Sequence, residues 1–342
     1  MMDGVRDLSP SCFSMVMATG IVSIAADLQG WSVVSAVLLS TAVVAYVGLA
    51  LLTGRRWLRH RAAMWADLRS PQRSFGFFTT VAGTSVIGTA LALRDHVTTG
   101  IVLLALATCI GAVLAYAVPA CCLTGRNRGT LTHHADGTWF VASVAVQSLA
   151  VLAATLQPRV DSARDVLAAA AIAAWAVGVV LYVLIGLVVA VRLVRHRPEP
   201  AELTAPYWVG MGATAITVVA GSTILSMVDA PVLEAARRLI DALTPVFWAF
   251  GTGLIPVLLL AGYWRHVRHR IPLRYEVGLW SIVFPLGMYG VGSHDLGREA
   301  GRHVLTAIGR TEAWIALIAW ALAFAAMCLS CLPRRTDQDL DG

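Results

Sequence analysis

Ten uncharged apolar runs constrain this chain more than any other feature, because each comes near the ~20 residues that a helix needs to cross the hydrocarbon core of a bilayer. They cover residues 9–26, 31–54, 75–93, 97–124, 138–157, 166–191, 207–228, 242–264, 277–293 and 313–332. A soluble helical domain would interrupt such runs with charge on its outer face. Here 58% of the 342 residues are hydrophobic and 13% charged, outside the range of ordinary soluble domains. The chain is read as an all-α polytopic membrane protein, a single transmembrane domain over 1–342 that ends in a short polar tail at 333–342.

The net charge of +6 comes from 26 basic residues, all arginine, gathered in short clusters between the apolar runs. That placement is a topology signal and not the basic face of a nucleic-acid binder, so no nucleic-acid partner is expected. The N-terminus, the connections 54–75, 124–138, 191–206 and 264–277 and the tail hold eighteen arginines. The opposite set holds eight: Arg94, Arg159, Arg164, Arg237, Arg238, Arg298, Arg302 and Arg310. The positive-inside rule then puts both termini in the cytoplasm of a cell whose plasma membrane the protein spans. The clusters Arg55, Arg56, Arg59, Arg61 and Arg265, Arg268, Arg270, Arg274 read as anchors for the cytoplasmic leaflet. Trp31, Trp139, Tyr207, Trp208, Tyr263, Trp264, Trp280 and Trp314 stand near run ends, as interfacial rings do. The first run is preceded by Asp3 and Asp7, which spoil a signal peptide's positive leader, so it reads as a retained helix.

The odd-numbered runs align on an aromatic residue near their starts: Phe13, Phe78, Phe140, Trp208 and Trp280, at intervals of 65, 62, 68 and 72 residues. Five residues further on stand Ala18, Gly83, Ala145, Ala213 and Pro285, and threonine follows three of them. Odd runs are rich in Gly, Ser, Thr and Ala, even runs in Leu, Val and Ala. The pattern predicts five helical hairpins, with odd helices inside around an axis and even helices outside. The expected inner wall carries Thr19, Gly20, Ser23, Thr84, Ser85, Ser143, Gln147, Thr214, Gly287 and Ser293, and almost no charge.

The ninth run holds the one interior proline of the odd set, in GLWSIVFPLGMYGVG at Gly278–Gly292. Proline removes a backbone donor and kinks a helix, a break tolerated in lipid only where neighbours or a water-filled cavity satisfy the freed groups. The expectation is a pore-lining helix in which Phe284, beside Pro285, occupies the pore. No ionisable residue falls within the ten runs; Glu312 and Asp136 are read as sitting at helix ends, and a pump with a buried carboxylate is disfavoured. Hydroxyls, amides and kinked backbone can stabilise a partly dehydrated anion without fixed charge, which favours conduction over tight capture.

Other chemistry is thin. Thr132-His133-His134-Ala135-Asp136 lacks further spaced ligands and reads as a solvated loop, and His294-Asp295 with His303 as a polar loop beyond the ninth helix. Met15 and Met17 read as packing residues. Cys12, Cys109, Cys121, Cys122, Cys328 and Cys331 fall inside or at the ends of apolar runs and suggest no disulfide framework; the CxxC of Cys328 and Cys331 has no second pair, and these two read as buried small apolar side chains. No enzyme activity, metal or cofactor is expected.

Four segments carry a resemblance: FSMVMATGIVSIA at Phe13–Ala25, PYWVGMGATAIT at Pro206–Thr217, FWAFGTGLIPVLL at Phe247–Leu259 and WSIVFPLGMY at Trp280–Tyr289. In order and over nearly the whole chain they resemble the tellurite-resistance/dicarboxylate transporter family, which includes plant slow-type anion channels, bacterial tellurite-resistance permeases, and fungal malate permeases and sulfite efflux pumps. The resemblance implies ten helices as five hairpins in a quasi-fivefold array, a pore lined by the inner helices, and a homotrimer. It also implies that the aromatic ring before the ninth-helix proline, here Phe284, blocks the pore. Inner helices of that family are commonly kinked at proline, whereas this chain has one such residue and glycines such as Gly20, Gly83, Gly88, Gly212 and Gly221. The function expected is passive conduction of a small inorganic or organic anion. The alternatives are a carrier for C4-dicarboxylates or for sulfite- or tellurite-type oxyanions, with or without proton coupling, and a membrane scaffold or sensor that transports nothing.

Overall fold

The computed structural model describes residues 3–124, 135–196 and 198–331. The Thr132-His133-His134 stretch and the tail 333–342 lie outside the described residues. The described chain is helical: α1 (Asp3–Arg6), α2 (Ser14–Leu28), α3 (Ser32–Arg59), α4 (Arg61–Leu68), α5 (Phe78–Ala92), α6 (Val97–Thr124), α7 (Val141–Leu156), α8 (Arg164–Arg195), α9 (Val209–Leu225), α10 (Pro231–Tyr263), α11 (Trp280–Glu299) and α12 (His303–Cys331). Among the described residues, nine helices, taken with the short turns continuous with them, are long and apolar enough to cross a membrane. The expected span 277–293 is a helix too, α11, but it is not among the nine, and its last six residues include His294, Asp295, Arg298 and Glu299.

Burial alternates along the chain. The spans that contain α2, α5, α7 and α9 are 78–83% buried, and those that contain α3, α6, α8, α10 and α12 only 11–22%. α11 follows the first group, with Trp280, Val283, Phe284, Met288, Tyr289 and Val291 all buried. The buried helices are short of leucine and dense in small residues, which lets backbones approach closely where lipid supplies no hydrophobic drive for association. Gly88 faces Leu152 and Gly212 faces Pro285 so closely that a Cβ would lie 2.7 and 2.8 Å from those side chains. α2 packs on α5, α5 on α7, α7 on α9, α9 on α11, and α11 back on α2. Each also packs on the helix that follows it: α2 on α3, α5 on α6, α7 on α8, α9 on α10, α11 on α12.

Two local devices repeat. Each buried helix is led in by a turn of 3-10 helix, at Pro10–Phe13, Ser74–Phe77, Gly137–Phe140, Ala205–Trp208 and Val277–Leu279. Ser9 and Asp136 cap two of these turns by accepting from the amides of Ser11 and Thr138. At the other end the chain reverses through three to seven residues, and four of the five reversals contain a left-handed residue: Gly30 (φ +78°), Asp95, Asp229 and Gly301 (φ +61°).

Several expectations need correction. α10 begins at Pro231 rather than Ala242, and α12 at His303 rather than Ala313, because helices extend through charge that a hydropathy run stops at. Glu312 therefore lies nine residues inside α12, and His294 and Asp295 belong to α11 rather than to a loop. Arg56 is no lipid anchor. It is buried, donating to the Arg6 carbonyl at 2.8 Å and pairing with Asp67 at 2.7 Å, while Asp67 also pairs with Arg73 at 3.0 Å. Cys328 and Cys331, expected to be buried, are exposed on an outward face of α12; Cys109 of α6 is exposed too, and Cys12 and Cys122 are buried.

Candidate functional site

The five buried helices enclose one cavity of about 360 Å³, and each of them contributes to its wall. The contributions follow a single register. Counted from the aligned aromatics Phe13, Phe78, Phe140, Trp208 and Trp280, the wall residues fall eight, eleven and fifteen positions on in all five helices. Steps of three and four keep one face of a helix in view, so the five helices run in one direction and turn equivalent faces to a common space.

The wall changes character along the axis. The layer eight residues on comprises Ile21, Val86, Ser148, Ile216 and Met288, and the next Ile24, Thr89, Val151, Val219 and Val291. The layer at fifteen is Leu28, Leu93, Thr155, Thr223 and Asp295, joined by Ser222, Ser226, Arg298 and Glu299. The wall is thus aliphatic with isolated hydroxyls towards the helix N-termini and polar at the C-terminal mouth. Several hydroxyls spend their proton on their own helix: Ser148 donates to Ala145 O at 2.7 Å, Thr155 to Val151 O at 2.8 Å and Thr223 to Val219 O at 2.7 Å. Ser222 differs. It is buried, and its Oγ lies towards the Glu299 carboxylate with no hydrogen bond of good geometry.

One helical turn before the innermost layer, the same register gives Met17, Ala82, Val144, Gly212 and Phe284, all buried. Phe284 has the largest side chain of the five and lies four residues before Met288, on the same face of α11. Behind it Pro285 presses on Gly212 of α9, and Trp280 donates from Nε1 to Tyr275 at 3.1 Å.

The polar residues expected on the wall point elsewhere; none of them borders this cavity. Thr19 accepts from Trp320 of α12 at 2.9 Å, and Ser23 exchanges hydrogen bonds with Ser35 of α3 at 2.8 and 2.7 Å. Thr84 meets Tyr46 of α3 at 3.0 Å, Ser143 donates to Gly178 of α8 at 2.9 Å, and Gln147 donates to Trp175 O at 3.2 Å. Thr214 packs on Gly251 of α10, Ser293 accepts from Trp248 at 2.9 Å, and Ser85 is buried without a partner. Gly20 and Gly287 face Val86 and Ile21 in the seams between buried helices. The physical reason is satisfaction: a hydroxyl inside a bilayer must find a protein partner, and the outer helices present indoles, phenols and carbonyls for that purpose. Sequence reasoning missed Ser148, Thr155, Ser222, Thr223, Ser226, Asp295, Arg298 and Glu299. The aligned register itself was the signal that would have reached half of them: Ser148, Thr155, Thr223 and Asp295.

With this geometry in view, the comparisons are specific. The family model described as voltage-dependent anion channel matches residues 7–328. Two uncharacterized transporters of Methanocaldococcus jannaschii are 22% identical over 333 residues (94% of this chain, 92% of theirs) and 20% identical over 325 residues (92% of each). An uncharacterized membrane protein of Mycobacterium tuberculosis is 53% identical over 147 residues, covering 43% of this chain and 75% of its own.

Proposed function

Because the chain belongs to the voltage-dependent anion channel family, we propose that it conducts small anions passively through the cavity among its buried helices, with the Phe284 ring as the gate. In this reading ten helices cross the plasma membrane as five hairpins in a quasi-fivefold array. Both termini are cytoplasmic, so the closed end of the cavity faces inward and the polar mouth outward. The protein works as a homotrimer, each copy with its own path. The observation that carries the proposal is the shared register: five helices turn equivalent positions to one space, and the layer beneath it holds a single bulky ring beside a proline. An aliphatic wall with isolated hydroxyls holds an anion weakly and releases it quickly, as conduction requires.

The test is reconstitution in liposomes. Wild-type protein should carry anion currents that are small and reverse with the anion gradient, and Phe284→Ala should raise them at least ~10-fold, a barrier change of about 1.4 kcal/mol. Protein that misfolds on this substitution, with unchanged flux in whatever survives, would make Phe284 ordinary core. A second reading, a carrier for C4-dicarboxylates or oxyanions coupled to protons, draws support from one feature: Glu312 lies inside α12 beside Gly290 of α11, with its Oε2 buried and unpartnered. An intramembrane carboxylate of that kind is the usual seat of proton coupling.

A further inference from the structure

All the charge on the cavity wall belongs to one helix. Asp295, Arg298 and Glu299 of α11 stand at the mouth, and every other wall residue is neutral. Two carboxylates and one guanidinium leave the mouth one negative charge when all are ionised, an odd endowment for a path that admits anions. Ser222 of α9, 2% exposed and on the same wall, turns its hydroxyl to the Glu299 carboxylate.

We infer that Asp295 and Glu299 form a valence filter at the outer mouth, which admits singly charged anions and turns back doubly charged ones. The inference rests on the anion-conducting reading above. A monovalent anion that reaches the mouth finds the Arg298 guanidinium, which offsets one of the two carboxylates. A dianion meets twice the repulsion from the same carboxylates, and its desolvation penalty rises with the square of its charge while the wall beyond supplies only neutral groups. The filter is electrostatic, so acid relaxes it. Charged and titratable groups stand around it on several elements, and α12, packed along α11, carries His303, Arg310 and Glu312. His294 stands 3.4 Å from Asp295 on α11, and Asp241 of α10 acts on Glu299 with the same sign as Asp295. α9 brings only the hydroxyls of Ser222, Thr223 and Ser226. At the ends of α2 and α5, Asp27 and Arg94 pair with each other at 3.4 Å, and Arg159 of the α7 end donates to the Thr155 carbonyl. Protonating Glu299, whose carboxyl burial pushes above its usual range, moves the mouth towards positive.

The experiment compares chloride with sulfate flux in liposomes, for wild type and for the Phe284→Ala background that enlarges both. Sulfate keeps both charges throughout the range used. At about pH 8 the Glu299→Gln and Asp295→Asn variants should each raise the sulfate-to-chloride ratio, and the pair, which removes two unit charges, together by ~10-fold. Arg298→Gln should lower chloride flux. Lowering the outer pH from about 8 to about 5, through the value of about 7 to which burial pushes the Glu299 carboxyl, should raise the wild-type ratio without any substitution and raise that of the double variant less. Chloride currents that persist with a ratio insensitive to all these changes would overturn the filter and leave the channel standing. Absence of anion flux in wild type and Phe284→Ala alike would overturn both.

Discussion

Phe284 and Pro285 divide two tasks that the sequence presents as one feature. The ring sits under the cavity, in the layer with Met17, and the proline is turned onto α9, where Gly212 leaves room for it. Gly212→Ala would set a Cβ 2.8 Å from the Pro285 Cγ, and a packed interior answers such an overlap by shifting at a cost of ~1–3 kcal/mol. Thermal unfolding in detergent should register that loss, and Pro285→Ala in the same chain should restore part of it. A Gly212→Ala protein as stable as wild type, with no coupling to Pro285, would show the contact to be slack. For Phe284 itself, a packed soluble core loses ~3–5 kcal/mol on truncation to alanine. With a cavity one turn above the ring, the loss should fall well below that range.

A buried helix here has two polar faces with different duties. One is knitted to its outer partner, as Ser23 is to Ser35 and Thr19 to Trp320; the other meets the cavity. Single-cysteine labelling along α9 separates them. Ile216→Cys, Val219→Cys and Thr223→Cys should react with a small water-soluble thiol reagent, while Thr214→Cys and Ala213→Cys, on faces that never border the cavity, should stay unmodified. Uniform labelling, or the reverse pattern, would place the aqueous path elsewhere. This is also where sequence reasoning misjudged the site. Polarity alone selected Thr84, Gln147 and Thr214 as wall residues, yet a hydroxyl or amide in lipid is drawn first to a protein partner, and only the residues left over can serve a path. The register of the five aromatics carried the correct information. Extended by eight, eleven and fifteen residues, it names three wall residues on every buried helix.

At the scale of the whole molecule, the outer helices insulate the buried ring and carry one anomaly. Glu312 is a carboxylate within α12, against the seam with α11 and away from the cavity wall. If conduction is passive, Glu312→Gln should leave the chloride current and its pH dependence intact and should hold or raise the thermal midpoint, since no unpaired buried charge then remains. Loss of malate- or sulfite-driven proton uptake in that variant would instead identify a coupled carrier. The sequence by itself determined the membrane class, the alternation of small-residue and aliphatic helices, their common register and the proline-bearing helix that holds Phe284, because length, composition and spacing are linear properties. Tertiary structure alone decided which face of each buried helix meets the cavity, where α10, α11 and α12 end, and that Asp295, Arg298 and Glu299 close its mouth. A helix surrounded by other helices carries small and hydroxyl-bearing residues on several sides and has no amphipathic face from which its rotation could be read. That rotation is set by its partners, through contacts such as Trp320 with Thr19 and Pro285 with Gly212, which join residues distant in sequence.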